Sequence, residues 1–219
     1  MTSGNSNVLQ RLFITGVSPI TMDDVSSGFN IGTNISIELT YSNMLGFTEK
    51  DVCEMIDYYT SVGVFKLDKE ESITVLKKWY DNYKFSEDSI DTVFNSTGVL
   101  NFMFFTKNKT KFPSDIIDEN LRMDSTKLKY LVYQGTTLNG NFDALTEIIS
   151  NGGVFSKIKR SFPFEMLKKK ENYVSLLYFF GFLTFSGKFK EGKPYLTIPN
   201  ETINHLVYEY MRRNFEDSI

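Results

Sequence analysis

One stretch near the N-terminus constrains the fold more than any other. Residues 11–22 read Arg-Leu-Phe-Ile-Thr-Gly-Val-Ser-Pro-Ile-Thr-Met. The first part is an apolar run suited to a buried strand, and it ends in Thr15, Gly16, Ser18 and Pro19. A buried strand with a Gly/Ser/Pro exit is how an open α/β sheet delivers polar side chains to a ligand crevice. Too few residues precede the run to supply a strand–helix partner. The expectation is a chain whose sheet, beyond this strand, is mostly absent.

Helical patterns dominate the middle of the chain. Residues 21–24 can open a short helix, 26–32 read as loop, and 34–39 as a short strand or extended segment. Thr48 precedes Glu49, Lys50 and Asp51, a capping box with Asp in the usual Glu position. Phe47 and Val52 have the spacing of a hydrophobic staple, and Val52, Met55, Ile56 and Tyr59 make one apolar face. Asp68 with Glu71 starts a second helix carrying Ile73, Leu76 and Tyr80 inward. Asn82 suits its left-handed end, because Asn tolerates positive φ better than most residues. Residues 88–94 read as extended, and Ser96 as the cap of an apolar helix. A polar loop follows Lys107, and Asp124 or Ser125 caps a helix through Leu128, Leu131 and Val132. Phe142, Leu145, Ile148 and Ile149 make a further amphipathic segment, ended by Gly152 and Gly153.

The last third alternates more clearly. Residues 171–180 read as helix, 182–186 as strand, 187–193 as turn and 195–198 as the returning strand. Pro199 and Asn200 then open a helix with Ile203, Leu206, Val207, Tyr210 and Met211 at helical spacing. Helix, hairpin, helix suggests a winged-helix-like unit. The expected class is mainly α with minor β, α+β overall. The expected division is a core remnant at 1–45 with the strand, a helical lid-like region at 46–153, and the winged-helix-like unit at 154–219.

The chain of 219 residues is 41% hydrophobic and 15% aromatic, enough for a sizeable core. A net charge of −3 gives no global attraction to nucleic acid or anionic membrane. Residues 157–193 nevertheless carry +6, which reads as a solvated basic face or as an anion-binding surface. A single cysteine, Cys53, excludes an intrachain disulfide and suits a reducing compartment. A single histidine, His205, excludes a Cys/His zinc site and falls in a helical pattern, where a helix-surface or packing role explains it. The N-terminus lacks a basic region leading into an apolar core, so no signal peptide is expected. The longest apolar stretch, 174–185, is too short to span a bilayer. These features suggest a cytoplasmic protein without a membrane partner.

Residues 187–194, Gly-Lys-Phe-Lys-Glu-Gly-Lys-Pro, nearly match the phosphate-binding loop G-x-x-x-x-G-K-[ST]. Pro194 replaces the hydroxyl that should reach magnesium and removes an N–H from the phosphate cradle. A strand follows where a helix N-terminus should face the anion. A tight hairpin explains the glycines. Glu191-Gly-Lys193 resembles the E-x-K of metal-dependent nucleases, but the required second carboxylate has no Asp to supply it between 151 and 214.

Five segments, in order, carry a resemblance. They are Leu-Phe-Ile-Thr-Gly-Val-Ser-Pro-Ile (12–20), Ser-Gly-Phe-Asn-Ile (27–31), Leu-Gly-Phe-Thr-Glu (45–49), Trp-Tyr-Asp-Asn-Tyr-Lys-Phe (79–85) and Asn-Leu-Arg-Met-Asp (120–124). Together they resemble the predicted AAA-ATPase-like family, whose members often carry a PD-(D/E)XK nuclease-like domain at the C-terminus. The family has Gly where Asn82 stands and Pro where Ser96 stands. Its phosphate-binding loop and acidic magnesium strand precede the part matched here, so the resemblance is to the back half of the ATPase region. It implies that Thr15 and Ser18 lie at the tip of a nucleotide-sensing strand, with Arg122 within reach of phosphate or in a loop-ordering ion pair. It implies no cofactor and no hydrolysis for this chain alone. ATP and magnesium enter only if a second polypeptide supplies the loop. The alternative is a nucleic-acid or protein binding module, with Lys188, Lys190 and Lys193 holding a phosphate backbone.

Overall fold

The computed structural model describes residues 13–16, 18–21, 33–112 and 141–216. Strand β1 (Ile20–Thr21) comes first, then helices α1 (Glu49–Ser61), α2 (Lys69–Tyr80) and α3 (Ser96–Thr106). The C-terminal part runs α4 (Asn141–Asn151), β2 (Gly153–Phe155), β3 (Phe162–Pro163), a 3₁₀ turn (Phe164–Lys168), α5 (Lys170–Phe179), β4 (Thr184–Lys190), β5 (Lys193–Thr197) and α6 (Glu201–Glu216). The class is α+β, helix-rich with little sheet. The helix expected after Asp124 and the segments expected at 22–32 lie outside the described residues.

Local chemistry sets the helix ends. The Thr48 hydroxyl accepts from Asp51 N–H at 3.2 Å, and the Asp51 carboxylate accepts from Thr48 N–H at 2.8 Å. The Thr48 hydroxyl also donates to the Asp51 carboxylate at 2.6 Å, and this bond first, then the one from Thr48 N–H, holds the Asp51 carboxyl below its ordinary range. Asp68 accepts from Glu71 N–H at 2.8 Å to start α2, and Asn82 leaves that helix at φ 75° as expected. The cap of α3 is Asn95 and not Ser96. Its Oδ1 accepts from Gly98 N–H at 2.9 Å while its own N–H is held by the Tyr80 carbonyl at 2.8 Å. That places α3 against Tyr80 so closely that only glycine fits at 98, where a Cβ would lie 2.3 Å from the ring.

Two expectations about the N-terminal third are corrected. Phe13 and Ile14 are not in a buried strand: they are irregular and 63% and 73% exposed. Strand pairing starts only beyond Pro19, where Ile20 and Thr21 run parallel to Phe162 and Pro163. Residues 34–39 are not extended either. Asn34 Oδ1 accepts from Ser36 N–H, and successive i to i+3 bonds, Glu38 N–H to Ile35 O and Tyr41 N–H to Glu38 O, curl the chain. The Asx turn wins over the alternating isoleucines.

Two hydrophobic cores form. One gathers Val52, Ile56, Leu76, Tyr80, Phe94 and Phe102 from the three N-terminal helices and the segments between them. The other gathers Leu145, Tyr173, Leu177, Phe185, Leu196 and Leu206. Helix α4 shares the second core, so the boundary expected after 153 does not coincide with the boundary between cores. The second core is covered by an antiparallel sheet in the order β2–β5–β4, a strand more than the hairpin expected. Among the described residues no helix is long and apolar enough to cross a membrane.

The cores are joined at the end of α2. Asn200 donates to the Asp81 carbonyl at 2.9 Å, Thr202 to the Trp79 carbonyl at 2.6 Å, and Lys84 N–H to the Thr184 hydroxyl at 2.8 Å. His205 lies flat on Trp79, with centroids 5.5 Å apart and planes 14° apart. His205 is exposed on its helix and stacked on Trp79 at once, so both expected roles, helix-surface and packing, describe it.

Candidate functional site

Thr15 is exposed and lines a pocket of about 190 Å³ with Phe13, Ile14, Tyr41, Met44, Leu45 and Phe179. The other described residues lining it are Gly16, Ile35, Ser36, Phe85 and Tyr178, none of them charged. A triphosphate needs cations or a row of backbone N–H groups around it, so these residues do not by themselves fit one. Ser18 is exposed and not among the lining residues. Its hydroxyl accepts from Ile20 N–H at 3.2 Å, an ST-turn that leads the chain into β1. Arg122 lies outside the described residues. Among the described residues no group of three or more His, Cys, Asp or Glu is placed to hold a metal ion.

The surroundings of Thr15 are more informative than its hydroxyl. Tyr41, Met44 and Leu45 are exposed along with Phe13 and Ile14. Scattered exposed apolar residues need no explanation, but a contiguous set lining one depression marks a contact surface. The segment is anchored to the second core from its polar side. Arg160 donates to the Asn34 carbonyl at 3.1 Å and pairs with Glu38 at 2.7 Å.

Lys188, Lys190 and Lys193 come together on the β4–β5 hairpin, all exposed. Lys190 pairs across from Lys193. Between them Glu191 and Gly192 take φ of 52° and 68°, the two-residue turn with both central residues left-handed. The residues that mimic a phosphate-binding loop are thus strand, turn and strand. Before the turn, β4 carries an irregularity between Phe185 and Phe189, which includes Lys188. None of the three lysines makes an ion pair among the described residues. Elsewhere in the basic segment Lys159 pairs with Glu171 at 3.7 Å and Lys170 with Glu147 at 2.6 Å, so part of the +6 is engaged structurally.

Sequence reasoning missed strand β2 and with it the pairing of Phe155 with Tyr195. The alternation Val154, Phe155, Ser156, Lys157 was the one signal that could have found it. A second apolar groove, of about 330 Å³, lies between α1 and α3 and is lined by Met55, Tyr59, Phe65, Leu100, Met103 and Phe104. It contains none of the candidate site residues Thr15, Ser18, Lys188, Lys190 and Lys193. No protein-family model matches the chain, and no similar curated protein or solved structure was found.

Proposed function

We propose that this chain acts as the rear portion of an ATPase-like assembly, contributing a sensor-like strand, a helical lid-like region and a winged-helix-like unit. Its phosphate-binding loop would come from outside these residues. The observation that carries the reading is the exposed apolar face around Thr15, uncharged among the described residues, beside a parallel pair with two described residues per strand. Parallel strands are ordinarily buried on both faces within larger sheets. A second polypeptide bringing strands and a phosphate cradle would cover that face and add the charge that the described lining of the Thr15 pocket lacks. The experiment is a nucleotide titration of the purified chain. It should show no ATP turnover and no tight binding, and micromolar, magnesium-dependent affinity overturns the reading.

A second reading, a nucleic-acid binding module, is favoured by the three lysines of the hairpin. The order α4, β2, β3, 3₁₀ turn, α5, β4, β5, with sheet order β2–β5–β4, supports the winged-helix-like description. In such units the helix before the hairpin is the natural one to enter a duplex groove. Here α5 is buried at every position from 172 to 178, leaving no face for a groove. Contact with nucleic acid would fall to the hairpin and its sheet. A gel shift across salt concentrations tests this. Binding that weakens steeply with salt and is lost when the three lysines become alanine supports it, and salt-insensitive or absent binding contradicts it.

A further inference from the structure

The outer face of the β2–β5–β4 sheet sorts its side chains into two adjoining rows. Phe155 stands across from Tyr195, and Lys190 across from Lys193. Ser156 N–H donates to the Pro194 carbonyl at 3.1 Å, so the β2–β5 register runs on and brings Lys157 opposite Lys193. Alternation sends Val154, Ser156, Pro194 and Leu196 inward, where all four are buried. Phe155, Lys157, Lys193 and Tyr195 therefore face outward. One row is aromatic, with ring centroids 4.7 Å apart at 51°. The next is basic: Lys157, Lys193, Lys190.

The aromatic row is held in place. The Tyr195 hydroxyl donates to the Asn151 carbonyl at 2.8 Å. Its ring passes over Gly153, where a Cβ would lie 2.7 Å from it. Phe155 stays 40% exposed beside it and is not part of either core. The core therefore does not account for this ring. Apart from Glu191 at the turn, the charge these segments bring to the face is positive. Residues 153–160 contain no carboxylate, and the hairpin contains only Glu191, at the turn.

We infer that this face binds single-stranded nucleic acid, with a base stacked on Phe155 and neighbouring phosphates on Lys157, Lys190 and Lys193. A fixed aromatic surface beside a row of cations is how sequence-tolerant single-strand sites work, because every base has a π-face and every nucleotide a phosphate. A duplex hides its base faces and offers phosphate alone. The inference deepens the second reading above and rests on it, and it requires no ATPase partner.

Fluorescence anisotropy of the full chain tests it. The probes are a labelled oligothymidylate of about 20 nucleotides and a duplex of equal length, each titrated between about 50 and 200 mM salt. The single strand should bind more tightly than the duplex. Phe155→Ala should weaken single-strand binding roughly 5- to 100-fold without changing the salt slope. Lys190→Ala with Lys193→Ala should flatten that slope by about 1.4, at about 0.7 per phosphate contact. Should Phe155→Ala lower the melting temperature, Phe155→Leu keeps the apolar cover without the π-face and should show the same loss. Salt-dependent binding that is equal for both probes and indifferent to Phe155 overturns the inference while leaving the second reading in place. No binding at low salt overturns both.

Discussion

Asn200 uses both ends of its side-chain amide: its nitrogen donates to the Asp81 backbone carbonyl at 2.9 Å, and its oxygen accepts from Ile203 N–H at 3.2 Å. One buried residue thus caps α6 and ties that helix to the end of α2. Removing it leaves a helix N–H and a buried carbonyl unpaired together. Asn200→Ala should lower stability by about 2–3 kcal/mol in urea melts. Asn200→Asp keeps the cap acceptor and loses the donor, so it should recover only part of that loss. A cost below about 0.5 kcal/mol for Asn200→Ala would show that the cores do not depend on this joint.

Gly98 tests the packing of α3. Alanine is intrinsically the better helix former by about 1 kcal/mol. The methyl, however, would meet the buried Tyr80 ring at 2.3 Å, and that ring is closed in by the first core. Overpacking should win, leaving Gly98→Ala less stable by about 1–3 kcal/mol in denaturant melts. Increased stability would mean that the Tyr80 ring yields.

Tyr173 and Tyr178 should govern the alkaline limit of the fold. Burial pushes both phenols well above the ordinary value of 10.0, and for Tyr173 the nearby Tyr210 adds to the rise. In the unfolded chain they titrate near 10, so above that pH the unfolded state loses protons that the folded state keeps. Stability is therefore flat with respect to these groups below pH 10 and falls above it. Tyr173→Phe should reduce the alkaline slope by about 1.4 kcal/mol per pH unit. Among the described residues the Tyr173 hydroxyl finds no hydrogen-bond partner, so the variant should be neutral to slightly stabilising at pH 7. Melting temperatures at pH 7 and at about pH 11 check both parts.

Much of the fold was readable where the determinants are local. The Thr48–Asp51 box, the Asp68 cap, the left-handed Asn82 and the stripe from Ile203 to Met211 all lie within a few residues of what they control. Non-local determinants were not readable. Strand β2 has three residues and pairs with a strand about 40 residues later, so its own segment carries little signal. Residues 34–39 carried the alternation of a strand, but one Asn side chain diverted the backbone into turns. The site was half visible. The hairpin lysines were evident as a basic cluster, whereas the aromatic row beside them depends on a register that sequence does not state. An apolar run such as Phe13-Ile14 ordinarily signals burial, but whether it is covered depends on elements distant in sequence, and here both residues are largely exposed.

On the proposed reading, the face around Thr15 awaits a cover from outside these residues. The most direct test is the thermal melt of the Ile14→Asp, Leu45→Asp double variant. Both side chains are largely in water, 73% and 60% exposed. The melting temperature should therefore stay within about 2 °C of the unchanged chain. A fall of about 8 °C or more would mean that the chain already buries these residues against itself, and would contradict the account.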